Sequence, residues 1–264
     1  MMNNQEQNWA NLFGDLPAEG ISWHGTWTKY APNQEVLLSY QGVRKFVPNQ
    51  DHTVITHTNN YTFADGKTDE KQWEIDNISC NQPDGMSHPA FSSAAKTVSF
   101  GENATAVMTK SVELDKVFGS ELFFRHQDWR ASVVIMYDQH GDLTAITHIY
   151  EHQGSFSNEP MAGKIENISG NWRGIKQSMT PDLNISDPEE IAGLEIDPTQ
   201  GKNETLFLPD RIVVNCPKKL EAGKEFELVA GKLVTDNQYK RLTLKYAESG
   251  DFMLFIREVF HRQD

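Results

Sequence analysis

From Trp23 onward, short runs of β-branched and aromatic residues alternate with polar ones, and turn residues interrupt them roughly every 8–12 positions. That period predicts strands at 22–30, 35–47, 52–63, 69–76, 96–100, 105–113, 120–126, 129–137 and 143–152 in the first half. In the second half it predicts strands near 170–179, 204–208, 210–215, 225–230, 232–236, 239–247 and 251–261. Asp65-Gly66 is the clearest hairpin signal, because Asp-Gly supplies the positive φ of a tight turn. Residues 5–13 follow a helical period instead: Trp9, Leu12 and Phe13 share a face, and Gly14, Pro17 and Gly20 end the helix. Such a helix before a first strand is placed to plug one end of a barrel. Three stretches lack a period. Residues 77–95, with Cys80, read as a long loop that could act as a lid; 153–164 read as a linker; the acidic 182–203 reads as an exposed loop.

The chain resembles itself. Val133–Gln153 aligns without gaps on Leu242–Arg262, placing Tyr137 on Tyr246, Gly141-Asp142 on Gly250-Asp251 and His152 on His261. Gly25-Thr26-Trp27 and Gly170-Asn171-Trp172 open the two halves in the same order. The expectation is an all-β fold of two antiparallel barrels from an internal duplication. Residues 1–155 form the first, with the N-terminal helix, and 165–264 the second, smaller one.

Composition narrows the partners. A formal net charge of −13, from 37 acidic and 24 basic residues, repels polyanions, so nucleic acid and anionic membranes are not expected partners. No stretch approaches the ~20 apolar residues of a membrane helix, so no membrane insertion is expected. The opening Met-Met-Asn-Asn-Gln-Glu-Gln-Asn lacks the features of a secretory signal, and Cys80 and Cys216 are isolated; both point to a reducing, cytoplasmic location.

Gly-x-Trp on a first strand with a cation on the last resembles the signature of lipocalin-like (calycin-type) barrels. That resemblance implies an arginine packed over the tryptophan, with Arg257 as the candidate to cover Trp172 and His148 at the aligned position across from Trp27. Trp23-His-Gly-Thr-Trp-Thr-Lys-Tyr, Thr53-Val-Ile-Thr-His-Thr-Asn-Asn-Tyr-Thr-Phe, Leu122-Phe-Phe-Arg-His, Asn171-Trp-Arg-Gly and Met179-Thr-Pro-Asp-Leu resemble an uncharacterised family from photosynthetic organisms. It implies a lipocalin-like fold and brings no established activity. A more distant resemblance runs to the lipocalin-like lyases that attach bilin chromophores, and it transfers no catalytic residue.

Alternate residues of a barrel strand point inward. Strand 52–63 therefore gathers Ile55, His57, Asn59, Tyr61 and Phe63 on one face, with Trp73 and Ile75 in phase on its hairpin partner. An apolar wall with a few hydrogen-bonding groups is the composition of a ligand cavity, and Arg130 or Arg125 could meet a carboxylate. The candidate ligand-binding residues are His57, Tyr61, Trp73, Arg130 and His148; Trp27, Trp172 and Arg257 are the candidate barrel closures. The competing reading makes the same aromatics core. His148 and His152 would lie about 13 Å apart on a strand, and no metal-ligand spacing occurs, so no metal site is expected. Haem on a lone histidine (His57, His148 or His261) stays open, and no cofactor is specified. No nucleophile or phosphate-loop motif is present, so no catalytic residue is named. The expected function is binding of a small apolar or amphipathic ligand, tetrapyrrole, carotenoid-derived or fatty-acid-like, in the first barrel. The alternatives are a chromophore lyase or chaperone, and a protein-interaction module with filled barrels that makes contact through 182–203.

Overall fold

Eighteen strands and two helices make up the structure, a computed structural model that describes residues 2–101, 104–113 and 115–263. The first sheet contains β1 (Ile21–Tyr30), β2 (Val36–Pro48), β3 (Val54–Thr62), β4 (Thr68–Asp76), β5 (Asn81–Gln82), β6 (Gly85–Met86), β7 (Ala95–Gly101), β8 (Ala104–Thr109), β9 (Phe118–His126), β10 (Trp129–Tyr137) and β11 (Leu143–Gln153). Its order is β4-β3-β2-β1-β11-β10-β9-β8-β7-β6-β5, a nearly closed barrel. The second contains β12 (Asn171–Met179), β13 (Glu189–Ala192), β14 (Glu204–Leu208), β15 (Ile212–Cys216), β16 (Phe226–Thr235), β17 (Gln238–Tyr246) and β18 (Phe252–Gln263), ordered β13-β12-β18-β17-β16-β15-β14. The expected second barrel is thus a seven-stranded sheet whose edges, β13 and β14, do not pair among the described residues.

That second order matches the run β2-β1-β11-β10-β9-β8-β7 of the first sheet, strand for strand. The register corrects which tryptophans correspond. With His152 set on His261, Gln153 falls on Arg262; their strand partners are Trp23 and Trp172. Gly25 opposite Glu151 then matches Gly174 opposite Phe260. The shared opening is therefore Trp-x-Gly, Trp23-His24-Gly25 and Trp172-Arg173-Gly174, and not the Gly-x-Trp read from the sequence.

The sheets are joined through their outer faces. Val98, Leu122, Val133, Ile135 and Tyr137 of the first and Leu208, Val214, Leu228, Leu244 and Phe255 of the second belong to one buried apolar cluster. The two long hairpins extend the junction reciprocally. At the β10–β11 turn, Leu220 N–H donates to the Gly141 carbonyl (2.8 Å) and Leu143 N–H to that of Lys218 (3.0 Å). At the β17–β18 turn, Val112 N–H donates to Gly250 (2.9 Å) and Phe252 N–H to Lys110 (2.8 Å). Gly141 (φ 77°) and Gly250 (φ 84°) hold the left-handed conformation these turns require.

Helix α1 (Asn4–Phe13) starts one residue before the expected span, on a capping box between Asn3 and Glu6. Trp9 and Phe13 pack on Ile55, Ile75 and Met86 at one end of the barrel. Strand β7 meets β6 only at Met86–Thr97, which leaves backbone groups of β7 to be satisfied otherwise. Asn8 accepts from Ser99 N–H (2.8 Å) and donates to the Thr97 carbonyl (3.2 Å); Asn11 donates to the Ser99 carbonyl (2.7 Å). The helix thus covers the part of the β7 edge that β6 leaves unpaired.

Other differences have local causes. The 77–95 stretch holds helix α2 (Asn77–Cys80) and the short β5–β6 hairpin. The acidic 182–203 stretch contributes β13 to the sheet edge, and its Ile191, Leu194 and Ile196 pack on the Trp172 cluster. In the 153–164 linker the carbonyls of Ala162 and Gly163 accept from Asp210 and Arg211 N–H. The two strands expected at 225–236 are one, β16, because Gly231 there is a packing glycine: a Cβ would lie 1.8 Å from the Tyr239 hydroxyl. Among the described residues no helix is long and apolar enough to cross a membrane.

Candidate functional site

Alternation along the first sheet sends Leu122, Val133 and Tyr137 outward to the second sheet and the intervening residues into the barrel. Those inward residues are unusually ionic. Arg44 on β2, Glu121, Phe123 and Arg125 on β9, Arg130 and Ser132 on β10, and Glu151 on β11 all face inward, beside Trp23 and Trp27 of β1. Trp23, Arg44, Glu121, Phe123, Arg125 and Arg130 border a partly open cavity of about 790 Å³, whose wall also includes Phe46 and His57, with Phe13 of the helix and Leu16 at its end. That volume lies in the range of small-molecule sites, roughly 300–1,000 Å³.

The charges form a chain. Glu151, whose side chain is fully buried, faces Arg44 Nε at 3.4 Å, an ion-pair distance without hydrogen-bond alignment, and accepts from Arg130 Nε at 2.8 Å. Arg44 Nη2 donates to Glu121 (3.3 Å), which also accepts from the Ser132 hydroxyl (2.7 Å). Burial opposes charge on Arg44, yet Glu151 and Glu121 more than offset it and raise its pKa; at Arg130 burial outweighs Glu151 and lowers it. Arg130 Nη2 is buried and has no hydrogen-bond partner among the described residues, a situation that costs about 1–3 kcal/mol. Aromatic faces sheathe the guanidiniums: Arg130 and Arg125 lie 4.7 and 5.1 Å from the Trp23 ring centre, and Arg44 lies 5.2 Å from that of Trp27.

A second, neutral chain runs beside it along β3, where Asn59 is the strand partner of Arg44. The Ala90 N–H donates to His88 Nδ1 (3.0 Å), so His88 carries its proton on Nε2 and donates to His57 Nδ1 (2.7 Å). His57 Nε2 then donates to Asn59 (2.9 Å), and Asn59 to the Tyr61 hydroxyl (2.8 Å). Burial pushes His88 down to about 4; burial, His88 and Arg44 push His57 down to about 2. Both imidazoles are therefore neutral at pH 7.

Of the five candidate ligand residues, His57 and Arg130 border the cavity. Trp73 packs its ring on His57 and His88 (centroids 5.1 and 5.4 Å), and Tyr61 meets Trp27 and Tyr40 beyond Arg44, so both back the wall. His148 does not belong with them. It is out of phase with inward Glu151 on β11, fully buried between the sheets, and 3.5 Å from Asp210, which also pairs with Lys232. Burial outweighs Asp210 and lowers the His148 pKa.

The closures also change. Trp27 sits inside the barrel over Gly42, where a Cβ would meet its ring at 2.4 Å. Trp172 is covered by Arg262 at 4.9 Å. Arg257, five residues earlier and so on the other strand face, lies over Phe100 at 5.3 Å. Sequence reading missed Arg44, Glu121, Glu151 and His88. Charged residues inside otherwise apolar runs, such as Glu151 after Ala145-Ile-Thr-His-Ile-Tyr, were the available signal. Among the described residues no group of three or more His, Cys, Asp or Glu could hold a metal ion.

Comparison with known proteins supports the fold. A crystal structure of a DUF3598-family protein of unknown function from Nostoc punctiforme PCC 73102 is 18% identical, with a TM-score of 0.75 over 97% of this chain and 99% of that one. Kievitone hydratase from Nectria haematococca (11% identity, TM-score 0.23, 94% and 91% covered) and Rv2717c from M. tuberculosis (13%, 0.20, 96% and 98%) are far weaker likenesses. No curated protein matches. The expected likeness to bilin lyases finds no support in these comparisons. Residues 189–258 match the model of the C-terminal domain of "Biogenesis factor required for ATP synthase 1". Residues 5–156, more than half of the chain, match the N-terminal domain model of DUF3598, a domain of unknown function, and the chain belongs to the DUF3598 family.

Proposed function

We propose that this protein binds one small apolar or amphipathic molecule inside the first barrel, of tetrapyrrole, carotenoid-derived or fatty-acid-like character, and that the second sheet is a solid copy of the same unit that supports it. The 790 Å³ cavity carries this reading, because its wall joins broad aromatic faces to a few fixed polar groups. Burying an apolar ligand there contributes about 25 cal/mol per Å² of apolar surface removed from water. His57, Tyr61, Trp73 and Arg130 act as one set, two at the surface of the cavity and two holding them. The matching strand order, the Trp-x-Gly openings and the reciprocal hairpin contacts support duplication as the origin of the two sheets. Protein purified natively and opened in organic solvent is expected to release a low-mass compound by mass spectrometry, and protoporphyrin, retinoate or dodecanoate to change its tryptophan fluorescence saturably. No released compound and no response to any probe would sink the proposal.

A second reading follows from the match at 189–258. By its name that relative serves the building of a complex, and the second sheet here could offer a protein-binding surface. Deleting 182–203 is the wrong test, since Ile191, Leu194 and Ile196 pack, partly buried, against the Trp172 cluster. Charge reversal at exposed Glu189 and Glu190 should abolish a co-purifying partner while leaving the melting temperature unchanged; retained partner would count against it.

A further inference from the structure

We propose that the molecule held in the first barrel carries one anionic group, a carboxylate, and that Arg130 and Arg125 select for it. This rests on the small-molecule reading above. Three guanidiniums, Arg44, Arg125 and Arg130, border the cavity. Two carboxylates, Glu121 and Glu151, are built among them, and Arg44 contacts both. Glu151 is shared between Arg44 and Arg130, so Arg130 has half a partner, through Nε alone. Arg125 has no ion pair among the described residues; its hydrogen bonds go to the Gln127 carbonyl (3.3 Å) and the Gln153 side chain (3.5 Å), both neutral.

Arg125 and Arg130 are direct partners on β9 and β10, and both lie over Trp23. Two like charges placed side by side in a half-buried wall repel each other, and an anion between protein and ligand relieves this. The other titratable groups facing the cavity do not supply it. His57 and His88 are neutral and have both ring nitrogens engaged, and Asp15 stands exposed at the mouth. The count of three cations to two anions fits one added carboxylate, and a planar guanidinium suits that group. Trp23, Phe46 and Phe123 surround the Arg130 guanidinium at 4.7–6.0 Å, so the body joined to the carboxylate meets ring faces at once.

The test compares dodecanoate, dodecanol and dodecylamine at pH 7.5 by tryptophan fluorescence and calorimetry on the intact chain. Dodecanoate is expected to bind at least tenfold more tightly than the other two. Arg125→Gln removes a guanidinium with no ion pair, and should erase most of that preference while leaving dodecanol affinity within twofold. Arg130→Gln combined with Glu151→Gln removes cation and anion together, guarding against a misfolded single variant, and should also erase most of that preference. Equal binding of dodecanoate and dodecanol overturns the anion inference and leaves the small-molecule reading intact. Binding of none of the three overturns the anion inference as well, and the small-molecule reading falls with it when natively purified protein also releases no compound and protoporphyrin and retinoate give no response.

Discussion

Trp23 and Trp172 stand at the same register of their sheets, opposite Gln153 and Arg262, yet one borders a cavity and the other is sealed among packed side chains. The neighbouring pair explains the difference. Where the first sheet sets Arg130 opposite Glu151, the second sets Tyr239 opposite Phe260. Two aromatic rings fill the space that an ion pair leaves open, and Leu233 and Leu194 complete the fill.

Glu151→Gln should be the most damaging conservative change in the first barrel. It strips one carboxylate from two buried guanidiniums, and breaking a buried pair costs about 3–5 kcal/mol. Glu121→Gln keeps the Ser132 contact, contacts one arginine only, and should cost less. Urea denaturation of both variants checks the order; equal losses would mean that Glu151 is not the hub.

Gly231→Ala should destabilise the second sheet by roughly 1–3 kcal/mol through overpacking, because the new methyl meets the Tyr239 hydroxyl. Tyr239→Phe in the same chain should recover only part of the loss, because the ring carbon Cζ would still lie 2.4 Å from the methyl. A double-mutant cycle measures the coupling, and additive effects would contradict the contact.

Acid should destabilise the protein before its carboxylates titrate. The folded state holds His88 down to about 4 and His57 down to about 2, against an ordinary value of 6.5. Between pH 6.5 and 4 the unfolded chain therefore takes protons that the folded one refuses, so stability is full above 6.5 and falls as pH drops. His148, His24 and His126 are lowered too and act in the same direction. The melting temperature should fall from pH 7 to pH 5, and less steeply in His88→Gln. Identical slopes would show that the His57–His88 chain does not set the response.

A fragment ending near residue 160 should not behave as a folded monomer. It would expose Val98, Leu122, Val133, Ile135 and Tyr137, all buried against the second sheet, and would leave the Gly141 carbonyl without Leu220. Size-exclusion chromatography and dye binding should show aggregation. A monodisperse fragment with a cooperative melt would refute this.

Much of the fold is legible in the chain because it is local. The spacing of Trp9, Leu12 and Phe13 gives the helix, Gly141 and Gly250 give the turns, and the alternation around His57 gives the inward face. Facts that depend on pairing were hidden. Trp23-His-Gly-Thr-Trp27 reads the same from either end around Gly25, so only the partner strand shows that Trp23 answers Trp172. Arg257 and Arg262 differ in strand parity, and a single apparent slip exchanges their faces. His148 sits in an apolar run buried on both sides, where the pattern gives no hint of which side is hollow. Part of the expected lid forms β5 and β6, each two residues long and too short for any period to register.

The solid second sheet gives the hollow one mutational freedom. Because the outer face of the first barrel is sealed by a large shared core, its interior need not be the principal source of cohesion. Substitutions at inward positions such as Phe46, Phe123 or Arg125 can change the shape and charge of the cavity while the scaffold holds. Relatives with this architecture should then diverge most at those positions and least along the junction.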